Sequence, residues 1–339
     1  MREYGLTWLA KSQSHQAQRG QTMFTSLGVI APVIAIIATG FLAALFGLFS
    51  AQQVATMNRI VFLIAAPALL FRNVVLTQFP ELIPWGLFIS YYGAMFVCLA
   101  LSLVISLVVF AKRRQAERVI IAFGSCFSNT VMLGIPIILT AFGAAASLPL
   151  FLILAFHGLL VFSVGTFLLE LSTRPQIDWR RLGPEFVRSM ASQQIIIALL
   201  AGVVWNFTGI GLTPVVDQFL ALLGQAAIPL ALLAVGGLLA RTPFRASLSG
   251  AAYMSVFKLV LMPIMVFASA RYLFDLPPIW VASVTLLSAM PTGVFTSVFA
   301  NRYQAAEQEA SSAIALSSVA GIVTISAWLI IFQDLIVTP

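Results

Sequence analysis

Three observations predict an all-α integral membrane protein of about ten transmembrane helices. Only 9% of the 339 residues are charged and 60% are hydrophobic, against roughly 25% charged in soluble proteins. The mean hydropathy is +1.02. Apolar runs of span length recur along the chain, divided by short polar or Gly/Pro breaks. So few charges cannot cover a soluble domain of this size, which makes the bilayer the solvent. A spanning helix takes about 20 apolar residues, so about ten of them consume most of the chain and leave one membrane domain.

In chain order, residues 1–23 form a polar leader without the apolar stretch of a signal peptide. It is expected to be disordered, with Met23 as the functional start. The spans fall at 24–48, 54–77, 84–111, 115–142, 147–171, 189–208, 214–240, 247–274, 278–301 and 305–334. They are parted by Gln52-Gln53, Phe79-Pro80-Glu81, Lys112-Arg113-Arg114, a Gly-Ala stretch at 143–146 and the polar run 172–188. The later breaks are Gly209–Gly211, Arg241-Thr242-Pro243, Asp275–Pro278 and Asn301-Arg302. Trp85, Trp205 and Trp280 lie near span ends, where an amphipathic ring suits the interface.

The net charge of +7 would suggest nucleic acid in a soluble chain. Here it records the positive-inside bias. One side collects Arg59, Lys112, Arg113, Arg114, Arg118, Arg174, Arg180, Arg181, Arg188, Arg241, Arg245 and Arg302. The other collects Arg72, Arg271 and the leader's basic residues. The first side is therefore cytoplasmic, and both termini are outside. Cys98 and Cys126 fall inside expected helices and form no metal-ligand pattern.

Five spans per half give the halves opposite topology, which predicts an inverted repeat: 24–171, a cytoplasmic linker at 172–188, then 189–335. Pro67 and Pro229 sit in similar Ala/Leu contexts 162 residues apart, and Pro136 and Pro291 are 155 apart. Two polar segments interrupt otherwise apolar spans: Ser128-Asn129-Thr130 with Gly134-Ile135-Pro136, and Ser288-Ala289-Met290-Pro291-Thr292-Gly293. Proline lacks an N–H and glycine tolerates unusual backbone angles. Unwound backbone at membrane depth survives only inside protein or along a cavity. Matched interruptions in two halves point to a transport site, and half-helix N-termini there favour an anion.

No carboxylate lies mid-span, since Glu170 and Asp217 fall near span ends. Lys258 lies well inside the eighth span and needs a partner or a wet cavity, unless it snorkels. Arg72 reads as interfacial, Asn58 as a helix-terminus group. His157 reads as a hydrogen-bonded helix contact or, less readily, a proton relay. HExxH, GxSxG, a phosphate-binding Gly loop and paired intramembrane aspartates are all missing, so catalytic and metal residues, cofactors and enzymatic activity are not expected.

With these residues in view, the chain resembles the auxin efflux carrier family, including bacterial members associated with malonate and similar carboxylates. Ser128-Asn129-Thr130 with Gly134-Ile135-Pro136 is similar to the family's fourth-helix crossover. Met290-Pro291-Thr292-Gly293, continuing to Val298–Tyr303, is similar to the ninth. Asn58-Arg59 with Pro67–Leu70, the Leu230–Leu239 stretch with Gly236-Gly237, and Lys258 before Pro263 match further elements over residues 24–335. The resemblance implies two inverted five-helix repeats, with a scaffold of helices 1, 2, 6 and 7 and crossed helices 4 and 9 in a moving subdomain. It implies a substrate site of Asn129, Thr130, Gly134, Pro136, Pro291, Thr292, Gly293, Ala66, Lys258 and Gln193. Thr292 stands where plant members often have Gln, and Gln193-Gln194 replaces their Asn-Pro. The long plant loop is missing, and Glu81 is the sole counterpart to an acidic-basic pair of some plant members.

The expected function is a secondary carrier of small organic anions in a bacterial inner membrane. The lipid bilayer is its partner, proton coupling is open, and the scaffold helices offer a homodimer surface. The alternatives are a cation/proton antiporter, which needs intramembrane acids, and a non-transporting receptor.

Overall fold

The computed structural model describes residues 31–79, 83–173, 184, 194–241 and 248–335. The leader, Glu81, most of the linker and Gln193 lie outside the described residues. Twelve helices follow along them. The first six are α1 (Ala31–Leu45), α2 (Ala51–Leu76), α3 (Trp85–Val109), α4 (Gln115–Gly124), α5 (130–142) and α6 (Ser147–Thr173). The second six are α7 (Gln194–Phe207), α8 (Pro214–Leu239), α9 (Leu248–Leu273), α10 (Pro278–Ala289), α11 (Phe295–Tyr303) and α12 (Glu307–Ile331). The chain is an all-α, multi-pass membrane protein. Among the described residues six helical stretches are long and apolar enough to cross a bilayer, and three apolar helices are shorter.

Helix starts follow local chemistry. At α2, Ser50 and Gln53 cap each other reciprocally, each side chain accepting from the other's backbone N–H. At α8, Thr213 caps and Pro214 takes the first position. At α12, Glu307 and Glu309 face the positive end of the dipole. The stretch Thr130–Thr173 has 44 residues, roughly 66 Å of helix against a hydrocarbon core of about 30 Å. Gly143, with φ 60°, and a tight turn over Gly143–Ala146 divide it into α5 and α6.

Three prolines leave one common mark. Pro67, Pro136 and Pro263 each follow a wide turn, at Val61–Ala65, Thr130–Gly134 and Phe257–Leu261. In each, an N–H reaches back five residues: Ala66 to Val61, Ile135 to Thr130, Met262 to Phe257. Proline cannot donate and its ring collides with the carbonyl four residues back, so the helix absorbs one extra residue.

Helix α2 packs along α7 and the first half of α8. There Arg72 makes a two-pronged ion pair with Asp217 at 2.7 and 3.0 Å, so its charge is paired between helices. Asn206 Nδ2 donates to the carbonyls of Val74, Val75 and Thr77, which satisfies the end of α2. Helix α1 lies against α8 through Gly40 and Gly236. A Cβ on either would sit 2.1 or 2.0 Å from a carbonyl oxygen of the other helix. Such small-residue contacts let backbones approach without a hydrophobic force between them.

Helices α3, α5, α6, α9 and α12 surround α10, in which every residue from Val281 to Ala289 is buried. Its serine hydroxyls bond backward along the helix, Ser283 to Ile279 O at 2.6 Å and Ser288 to Thr285 O at 2.7 Å. Large apolar side chains such as Val108, Val204, Val215 and Phe219 point outward, the pattern a lipid solvent favours.

Candidate functional site

The expected polar interruptions are real breaks, and they meet. The expected span 115–142 is broken over 125–129, just before the wide turn that Pro136 imposes, so Cys126 lies in the break and not in a helix. The other break covers 290–294 and contains Pro291 itself. The two run antiparallel, bridged at Ser128 and Thr292. Asn129 N–H donates to Pro291 O at 2.8 Å, and Gly293 N–H donates to Phe127 O at 2.9 Å. Each break thus satisfies backbone groups that lipid could not. Thr292 ties in two neighbours: its hydroxyl donates to Gly124 O, which ends α4, at 3.1 Å, and its N–H donates to Ser317 Oγ of α12 at 3.0 Å.

Side chains crowd the glycines at the junction, most tightly at Gly293. A Cβ on Gly293 would lie 2.2 Å from the Phe127 ring, and one on Gly134 2.9 Å from Leu287. Four helix ends converge there: the C-termini of α4 and α10 and the N-termini of α5 and α11. Lys258 is fully buried, so it does not snorkel. Its ammonium donates to Ser288 O at the negative end of α10 and lies 3.5 Å from Met262 Sδ.

A cavity of about 280 Å³ opens beside the junction. Phe127 to Met132 form one wall, and Leu154, His157, Gly158, Val161 and Phe162 of α6 another. Phe62 of α2, Gln194 to Ile196 of α7, and Gly293 to Phe295 complete it. The wall is mainly apolar, with Ser128, Asn129, Thr130, His157 and Gln194 as its polar side chains. Among the described residues no carboxylate, lysine or arginine lines it, and no group of three metal-ligating side chains occurs. Asn129 sits at the mouth of α5 and its side chain makes no cap to the helix.

His157 is 4% exposed, and neither ring nitrogen has a hydrogen-bond partner. The backbone of Ser128 is beside it, outside hydrogen-bond geometry. Its ring stacks on Phe127, centroids 5.4 Å apart, with Tyr91 at 5.8 Å and Tyr92 at 6.3 Å. Burying such groups unpaired costs about 1–3 kcal/mol each.

Of the ten residues expected at the site, Asn129, Thr130 and Gly293 line the cavity. Gly134, Pro136, Pro291, Thr292 and Lys258 build the frame behind it. Ala66 is buried against Val61 and Ala231 where α2 meets α8, and Phe62, one turn earlier, is the α2 residue in the wall. Gln193 lies outside the described residues, and its neighbour Gln194 lines the cavity. The sequence reading did not place Phe62, Phe127, His157, Phe162 or Gln194 at the site. A polar residue in an apolar span was the available signal for His157. For Phe62 it was the spacing of one helical turn from Ala66.

A family model described as membrane transport protein matches residues 25–329. The "Putative malonate transporter" of Rhizobium meliloti (strain 1021) is 26% identical over 308 residues, covering 91% of this chain and 96% of that protein. An "Uncharacterized transporter" of Methanothermobacter thermautotrophicus is 21% identical over 312 residues, covering 90% and 98%.

Proposed function

The chain belongs to the membrane transport protein family, that of the auxin efflux carriers, and from this premise we propose an alternating-access carrier of small organic anions with its site at the junction of the two breaks. The chain is not an enzyme; it is a secondary transporter of small molecules across a membrane. The observation that carries the finer reading is Asn129. Its amide stands uncommitted at the helix N-terminus of α5, on the wall of a cavity of about 280 Å³. An amide donor and a positive dipole end together suit a carboxylate. The volume lies below the roughly 300–1,000 Å³ of sites for drug-sized ligands, which favours a short acid. Malonate, named for the Rhizobium relative, is of this class.

In this reading α4–α5 and α10–α11 are single crossed spans, so twelve helices make ten spans in two inverted repeats, 24–171 and 189–335. Helices α1, α2, α7 and α8 form the scaffold, and the rest move as the transport body. Asn129 and Thr130 hold the carboxylate with the N–H groups of the first turn of α5, while Gly134, Pro136, Pro291, Thr292 and Gly293 shape the junction. Phe62 and Gln194 face it from the scaffold side. Lys258 contributes positive potential from behind the junction. Gln194, which opens α7 after the basic stretch 172–188, supports a cavity open towards the cytoplasm. The termini are outside, and the membrane is a bacterial inner membrane.

The test is uptake of labelled carboxylates (malonate, malate, succinate, lactate, indole-3-acetate) into proteoliposomes, comparing the native chain with Asn129→Ala. The expected result is saturable flux of at least one acid, lost in a variant that remains monodisperse. Flux of none of them under proton, sodium or potential gradients would overturn the reading.

A further inference from the structure

We propose that His157 is a second substrate ligand, which meets the distal carboxylate of a short dicarboxylate and so selects diacids over monoacids. This rests on the carrier reading above. Four observations carry it. His157 lines the same cavity as Asn129. Its two ring nitrogens are buried without partners among the described residues. The ring lies beside the junction, stacked on Phe127, whose carbonyl accepts from Gly293 N–H. And the wall holds no fixed cation among its described residues, so the second carboxylate of a diacid must find its donor among neutral groups.

An imidazole always carries at least one N–H donor. Among the described residues no acceptor meets that donor in hydrogen-bond geometry, and the Tyr91 and Tyr92 rings beside it supply none of carboxylate strength. Tyr91 directs its hydroxyl to Ser128 Oγ at 3.4 Å, and Tyr92 directs its own to Ile153 O at 2.6 Å. Both tyrosines are thereby committed, and they hold the imidazole without saturating it. A turn about its two side-chain torsions presents a nitrogen to the cavity. A substrate with one carboxylate on Asn129 then gains a second contact only if it carries a second acidic group. A monoacid of the same length leaves His157 unpaired.

The chain has two histidines, so His15→Ala leaves one imidazole to observe by ¹⁵N NMR in nanodiscs. Malonate is expected to move the His157 resonances and propionate to leave them in place. In proteoliposomes His157→Phe, which keeps an aromatic ring against Phe127, should raise KM for malonate about tenfold or more while propionate flux changes little. His157→Gln, which retains a donor and an acceptor, should recover part of the loss. Malonate transport with no movement of the resonances would overturn the proposal and leave the carrier reading intact. Equal losses for both acids in His157→Phe would do the same, by marking His157 as a packing residue. If no carboxylate is carried and none moves the resonances, the carrier reading and this proposal fail together.

Discussion

Replacing Gly236 by alanine should drive α1 and α8 apart. The added Cβ would stand 2.0 Å from Ile37 O and 2.7 Å from Phe41 N. A carbon settles at about 3.3 Å or more from a carbonyl oxygen, so the helices must separate by roughly 1.3 Å. No side chain can yield, because both obstructing atoms are backbone. Overpacking of this kind costs about 1–3 kcal/mol, towards the upper end where backbone must move. Alanine's helix preference over glycine offsets about 1 kcal/mol, which leaves a net loss of about 2 kcal/mol. The assay is the apparent melting temperature of purified protein in detergent, read by loss of the monodisperse peak. Gly93→Ala is the matched control. Its Cβ would meet only Ile89 Cγ2 at 3.5 Å, an ordinary contact, so it should melt at or above the native temperature. If Gly236→Ala melts no lower than Gly93→Ala, the backbone contact between α1 and α8 does not hold the scaffold together and the reasoning fails.

Three further expectations use the same assay. Thr292→Val removes the hydroxyl that reaches Gly124 O and should cost about 1–2 kcal/mol, whereas Ser297→Ala, on a half-buried turn nearby, should change little. Arg72→Ala and Asp217→Ala should each destabilise, and the double variant should fall short of their sum by about 1 kcal/mol; strict additivity would deny the pair any energetic role. Asn206→Ala should lower stability by about 1–3 kcal/mol through the carbonyls it strands at the end of α2, and an unchanged melt would mean that water or lipid headgroups already serve them.

Much of the architecture was legible because glycine and proline act locally. Pro67, Pro136 and Pro263 announce a disturbed helix wherever they occur, and Gly143 marks the turn that cuts one long apolar run into two helices. Charge pairing was not legible, because Arg72 and its partner Asp217 are 145 residues apart. The same limit applied to the site. Asn129, Thr130 and Gly293 stand out by chemistry, yet which face of α2 or α6 they oppose depends on helix rotation, set by packing over the whole bundle. Hence Phe62 takes the wall place expected of Ala66. Lys258 was expected to reach towards an anion, but burial left it one strong acceptor, the carbonyl end of α10. His157 was ambiguous for a different reason: a histidine in an apolar span reads as satisfied until its neighbours are known.

The mutual satisfaction of the two breaks has a consequence for how the chain is made. Ser128 and Thr292, which bridge them, lie 164 residues apart. At about 5–20 residues per second the ribosome needs roughly 8–33 s to cover that interval. Once the first break has left the ribosome, it waits out the rest of that interval while its hydrogen-bonding complement has not been synthesised. The nascent protein therefore passes through a stage in which an unwound, polar stretch is exposed to lipid or to the insertion machinery. A chain ended after residue 273 stays at that stage and should be cleared faster than the whole protein in a pulse-chase experiment; equal lifetimes would show that the first half completes its own structure.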